Sequence, residues 1–236
     1  MAIYNFESLY KFNVALREVI ILIRRFKLEE NKSRIISNIY LKSALILLTA
    51  KFEAFLENIF AEYINKLNEE LTVNQIPEIL KIYHTKEHLE QFSICFQKTA
   101  EQEKRDKIIK NMKDLALLWK NDKESKPIKI SNKFNYGKHG QESINELFRR
   151  IGFKNILNEF EITEKIHTID GDINENVDFK AKVNELTSKR NSILHNDTSI
   201  TFTKEELICY IKYLKQFSQK LTNKLFEMSE DYKLIN

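Results

Sequence analysis

Six consecutive residues near the end of a helical segment, Arg190-Asn191-Ser192-Ile193-Leu194-His195, combine an arginine, an amide and a histidine. An imidazole can move a proton to or from a ribose 2′-hydroxyl near neutral pH, and a permanently charged guanidinium can hold a phosphate as negative charge builds on it. Those two groups suffice for cleavage of a ribose-phosphate linkage without a metal or a cofactor. At about 100° per residue, however, the five-residue step from Arg190 to His195 turns their side chains roughly 140° apart. Two arrangements reconcile them: the helix loosens across Leu194 to Asn196, or a second copy of the segment across a twofold axis completes the site. Asn191 would then orient a phosphate or an imidazole through its amide. In the plainer alternative, Arg190 pairs with a carboxylate such as Glu185, and His195 simply ends a helix in favourable contact with its dipole.

Charge placement marks a second region. Residues 120–139 hold six lysines against Asp122 and Glu124, an excess equal to the net charge of +4 of the whole chain. Phe134, Tyr136 and His139 are interleaved with them, a composition suited to tracking a phosphate backbone and stacking on bases. Lys126, Lys129, Lys133, Lys138 and Tyr136 are therefore the expected RNA contacts, against the alternative of a solvated loop. His84-Thr85-Lys86-Glu87-His88 has the spacing of an inverted zinc-peptidase motif. Thr85 reads better as the N-cap of a helix beginning at Lys86, which leaves His84 outside it, so no metal site is expected. Glu53 and Glu57 read as a solvated helix face and Trp119 as core.

The elements that must position these residues are helical. Leu9, Phe12, Leu16, Val19 and Ile23 recur every three or four residues and predict a helix over about 6–27. Leu41, Leu45, Leu48, Phe52, Phe55, Ile59, Phe60 and Tyr63 predict a long central core helix ending around 72–77. Two or three less regular helices follow over 78–120, and then the lysine-rich loop. Ser143 with Glu146 reads as a capping box opening a short helix that Gly152 stops, followed by a turn over 155–160. Residues 163–176 read as loop. A helix over about 177–194 carries the Arg/His segment and breaks at Asn196-Asp197. Thr203 with Glu206 then caps a last helix through Leu225.

Only 4 Gly and 2 Pro occur in 236 residues, too few turn formers for an all-β or α/β chain. The expected fold is all-α: a single domain over 1–236 with four long helices, and an insertion of short helices and a basic loop over about 75–170 between the second and third. Cys95 and Cys209 lie far apart in apolar surroundings and indicate no disulfide framework, consistent with a reducing cytoplasm. The longest apolar run, Ala44 to Leu48, is far too short to span a bilayer.

The segment Leu186 to Asp197 resembles the R-x4-6-H signature of the HEPN superfamily, the higher eukaryote and prokaryote nucleotide-binding domains. The order of features is similar too: a helix containing Ala44 to Phe60, an insertion with the phrase Ile144 to Gly152, the Arg/His helix, and a long last helix after Thr203. The chain most resembles the RiboL-PSP-type branch, over roughly 35–228. The resemblance implies a helical bundle that dimerises with its site at the dimer interface. It implies a metal-independent endoribonuclease, with Arg190 and His195 catalytic and Asn191 supporting them, that leaves 2′,3′-cyclic phosphate and 5′-hydroxyl ends as a toxin or anti-phage effector. An antitoxin or other regulatory partner would be needed to restrain such an enzyme. One HEPN subgroup carries a tyrosine two residues after the histidine; here that position is Asp197, so silencing by nucleotidylation does not carry over. The rival expectation is a non-catalytic helical module that binds RNA or a protein.

Overall fold

The structure, a computed structural model, describes residues 6–97, 102–134, 140–168, 171–196 and 201–234. Four long helices form the body: α1 (Glu7–Glu29), α2 (Arg34–Glu70), α6 (Phe179–Asn196) and α7 (Lys204–Lys233). Between α2 and α6 lie α3 (Glu78–Gln97), α4 (Gln102–Trp119), α5 (Gln141–Arg149) and a hairpin of β1 (Ile162–Thr168) and β2 (Gly171–Val177). The all-α expectation, with an insertion between the second and third long helices, therefore describes the chain.

Each long helix forms because its apolar residues recur at helical spacing and have a partner face to bury. On α1, Leu9, Phe12, Leu16, Val19, Ile23 and Phe26 are buried, all on the side that meets α2. Ser33 caps α2, its side chain accepting the Ile36 N–H at 3.4 Å. A chain of rings ties the bundle together: Phe12 stacks on Phe55 at 4.9 Å, Phe52 meets Phe217 edge-on at 5.9 Å, and Phe179 stacks on Phe217 at 4.6 Å.

The same contacts fix helix directions. α7 starts beside the α1–α2 turn, where Lys204 pairs with Glu30 at 3.4 Å, and ends beside the end of α2, where Lys233 pairs with Glu70 at 3.0 Å. It is thus parallel to α2. Phe179 meets Phe217 while Lys189 meets Glu206 at 3.3 Å, so α6 runs antiparallel to both. The Arg/His end of α6 therefore lies at the end of the bundle where α2 and α7 begin.

Four expectations are corrected. Residues 163–176 are not loop: β1 and β2 pair antiparallel from Ile162↔Val177 to Thr168↔Gly171. The paired Ile162/Val177 and Ile166/Ile173 supply the apolar side of a ladder whose second strand is otherwise polar. Second, α5 begins at Gln141 with Gly140 as its N-cap, so Ser143 sits buried inside the first turn instead of capping it. Third, His84 lies within α3 and not ahead of a helix beginning at Lys86, because α3 already starts at Glu78 just after Pro77. Fourth, Trp119 is 45 % exposed, its indole N–H donating to Thr85 Oγ1 at 2.9 Å. The Gly152 stop and the Thr203/Glu206 capping box form as expected, Gly152 at φ +101°. Among the described residues, no helix is long and apolar enough to cross a membrane.

Candidate active site

Lys189, immediately before Arg190, determines which way the motif faces. Its side chain is 13 % exposed, and its ammonium bonds Glu185 at 2.6 Å, Glu206 at 3.3 Å and the Tyr210 hydroxyl at 3.1 Å. It also lies over the Tyr210 ring at 5.4 Å and the Phe202 ring at 6.0 Å. Burial pushes the Glu185 carboxyl up, but the hydrogen bonds from Lys189, Tyr210 and Lys182 outweigh it and hold it at about 2. Glu185 is thereby an anionic anchor for Lys189 and Lys182, not the partner of Arg190. Sequence reasoning passed over Lys189, although its i, i+4 spacing from Glu185 was a usable signal.

With Lys189 turned toward α7, Arg190 lies about 100° further round the helix. No carboxylate among the described residues pairs with it. Its Nη1 donates instead to Asn191 Oδ1 at 3.0 Å. Asn191 and His195 are one turn apart on the same exposed face of α6. The asparagine thus draws the guanidinium part of the way across the 140° gap toward the imidazole. α6 remains helical through Asn196, so it does not loosen before His195, and the divergence of Arg190 and His195 along one helix stands. His195 is exposed in the last turn of α6.

Apolar side chains are exposed around this end. Leu194 is 48 % exposed, and on the first turns of α2 Ile35 is 75 % exposed with Ile36 and Ile39 also open. Phe52 and Phe179 both contact Phe217, and counting sixteen residues back along α2 and sixteen forward along α6 reaches Ile36 and His195. At about 1.5 Å per residue, both lie roughly 24 Å from that shared level, at the same height in the bundle.

Residues 126–134 of the lysine-rich segment form an anchored strap. Asn68 clamps both the N–H and the carbonyl of Ile128 at 2.8 Å, and Glu87 accepts the Ser131 N–H at 2.9 Å. Glu57 accepts the Phe134 N–H at 3.3 Å and pairs with Lys133 at 2.9 Å, and Lys126 pairs with Asp114. Glu57 is thus an anchor for the strap, not only part of a solvated face. Lys129 keeps an exposed side chain while its backbone is held by His84. Tyr136 and Lys138 lie outside the described residues.

His84 and His88 do share a face of α3, with ring centroids 4.4 Å apart. His84 Nδ1 is occupied by the backbone of Lys129 at 2.9 Å, and burial pushes both imidazoles down. Glu87, the motif's carboxylate, is engaged by Ser131. Among the described residues no group of three or more His, Cys, Asp or Glu side chains is placed to hold a metal. Cys209 is a free thiol donating to Glu164 at 3.3 Å.

No curated protein and no solved structure matches this chain. The model of one family, described as RiboL-PSP-HEPN, does match it over residues 14–227, from the middle of α1 to the last turns of α7, and so takes in the Arg/His helix together with the insertion. The chain belongs to the RiboL-PSP-HEPN family.

Proposed function

We propose that this protein is a metal-independent endoribonuclease whose site is assembled between two copies of the chain. The observation that carries the reading is the Arg190 guanidinium, which among the described residues has no carboxylate partner and donates to Asn191, on the exposed face that also holds His195. Among the described residues no carboxylate neutralises that charge, which suits a group that receives a phosphate. Membership in a family related to ribonucleases supports the same conclusion.

In the proposed mechanism His195 takes the proton from a ribose 2′-hydroxyl, and the oxygen attacks the adjacent phosphorus. Arg190 stabilises the negative charge that builds on the phosphoryl oxygens. The P–O5′ bond breaks, and the 5′-oxygen leaves with a proton, giving a 2′,3′-cyclic phosphate and a 5′-hydroxyl. Because Arg190 and His195 diverge along one helix, a twofold partner supplies the complementary pair across the cleft. The exposed Ile35, Ile36, Ile39 and Leu194 at the same height provide an apolar surface for that partner. The role fits a toxin or anti-phage effector held in check by an antitoxin or other regulatory protein.

The test is incubation of the purified protein with total RNA in excess EDTA, followed by sequencing of the new 5′-hydroxyl ends. Cleavage that Arg190→Ala and His195→Ala each abolish supports the assignment. A folded His195→Ala protein that cuts at the parent rate sinks it.

A further inference from the structure

A group of cations without carboxylate partners among the described residues lies along α7, whereas Lys126 and Lys133 of the strap are held in ion pairs. A cleft of about 630 Å³ opens between β1 and α7, lined by Lys165, Lys212, Lys215 and Lys220 together with the amides of Asn174 and Gln219. Its floor is rigid. Gln216 clamps Thr163 by accepting its N–H at 3.2 Å and donating to its carbonyl at 2.8 Å, and Lys220 donates to the Glu161 carbonyl at 2.7 Å. Glu164 is the one carboxylate in the lining, and its oxygens are taken by the Tyr213 hydroxyl and the Cys209 thiol. Lys165 pairs with Asp172. Lys212 and Lys215 are exposed and have no ion pair among the described residues. Lys126 and Lys133 on the strap are, by contrast, bound to carboxylates.

We infer that the β1–α7 cleft is the binding track for the backbone of a single-stranded RNA, with Lys212 and Lys215 holding successive phosphates of the strand whose cleavage is proposed at Arg190 and His195. Lys212 to Lys220 spans eight residues of one helix, about 12 Å of rise, which is longer than a single phosphate and shaped to follow a chain. Lys189 bonds both Glu206 and Tyr210, so the level of Arg190 lies about two to nine residues along α7 from these lysines, about 3–14 Å of rise, with their side chains about 140–160° round α7 from Tyr210. Asn174 and Gln219 present amides, which can meet any base edge, so the track carries affinity more than sequence choice.

The inference rests on the ribonuclease reading for its substrate, and its test separates the two. Binding of a fluorescein-labelled single-stranded RNA of about 20 nucleotides is measured in His195→Ala protein, with and without Lys212→Glu/Lys215→Glu. The same change of charge at Lys110→Glu/Lys113→Glu on α4 serves as the control. Circular dichroism checks that each protein is folded. The α7 pair is expected to weaken binding by at least about 10-fold near 0.1 M salt and to lower the slope of log affinity against log salt by about 1.4, the value for two phosphate contacts on a single strand. The α4 pair is expected to change affinity less than about 2-fold. Unchanged affinity in the α7 pair, equal loss in the α4 pair, or no RNA binding by the parent overturns the inference. Loss in the α7 pair supports it even when the protein carrying His195 proves inert on RNA, in which case only the nuclease reading fails.

Discussion

Lys189→Met removes the ammonium that sets the facing of α6 while keeping an apolar stem of similar length. The lost contacts are two ion pairs at 2.6 and 3.3 Å and one hydrogen bond at 3.1 Å. Removing one partner of a fully buried pair costs about 3–5 kcal/mol, and an exposed pair contributes at most about 1 kcal/mol. Glu185 and Glu206 are 35 % and 43 % exposed, so they regain water when the ammonium is gone, and the cost falls between these limits at about 2 kcal/mol. For a domain of this size that corresponds to a Tm lower by about 4–8 °C, read by thermal denaturation at pH 7. The acid limb moves as well. Glu185 is held at about 2, so its contribution is present above the ordinary carboxylate range and is lost as pH falls through about 2. Without Lys189 the carboxyl rises, and acid unfolding begins at higher pH. Since an error of about 1 Å in a catalytic group costs on the order of 10²-fold, RNA cleavage at a temperature where the variant is folded should drop by about 10–100-fold. A Tm within 1 °C of the parent together with unchanged cleavage would show that Lys189 does not position the motif.

Other consequences are simpler to state. Ile36→Glu/Ile39→Glu should convert a dimer to a monomer in sedimentation velocity and abolish cleavage with helicity retained; an active monomer refutes the shared site. His84 is pushed down by burial, so its neutral form holds the strap; that hold is complete above the ordinary histidine value and weakens as pH falls below it. Amide exchange at Ser131 and Phe134 should therefore accelerate on acidification from pH 7 to 5 in the parent, and lose that pH dependence, beyond the intrinsic rate change, in His84→Phe. Gly152→Ala should cost about 1–2 kcal/mol in chemical denaturation, because its φ of +101° strains any residue with a Cβ while the nearest neighbour, an Ile79 methyl, is 3.9 Å away and does not clash.

The four long helices were legible because their apolar residues repeat at helical spacing over many turns, and Thr203/Glu206 and Gly152 carried signals strong enough to mark boundaries. The hairpin was missed because β2, with Asp172, Asn174, Glu175 and Asn176, has almost no apolar face of its own. Its evidence lay in Gly171, which takes a φ of +123°, and in the pairing of Ile166 with Ile173, which appears only once the two segments are set antiparallel. Arg190 and His195 stand out as candidates by residue type and spacing. Their surroundings were not legible, because the competition between Lys189 and Arg190 for Glu185 is decided by contacts with Glu206 and Tyr210, which lie on another helix. The anchoring of the strap was hidden for the same reason: Lys126 and Lys133 look free until Asp114 and Glu57 arrive from α4 and α2.

The decisive measurement is single-turnover cleavage of a defined single-stranded RNA in excess EDTA by the parent, by Arg190→Ala, by His195→Ala and by the double variant, with the product ends identified. The account predicts 2′,3′-cyclic phosphate and 5′-hydroxyl products from the parent, a loss of at least about 10²-fold in each single variant, and little further loss in the double variant, as expected of groups that act as one unit. Cleavage that requires an added metal, or that survives in a folded Arg190→Ala or His195→Ala protein, would contradict it.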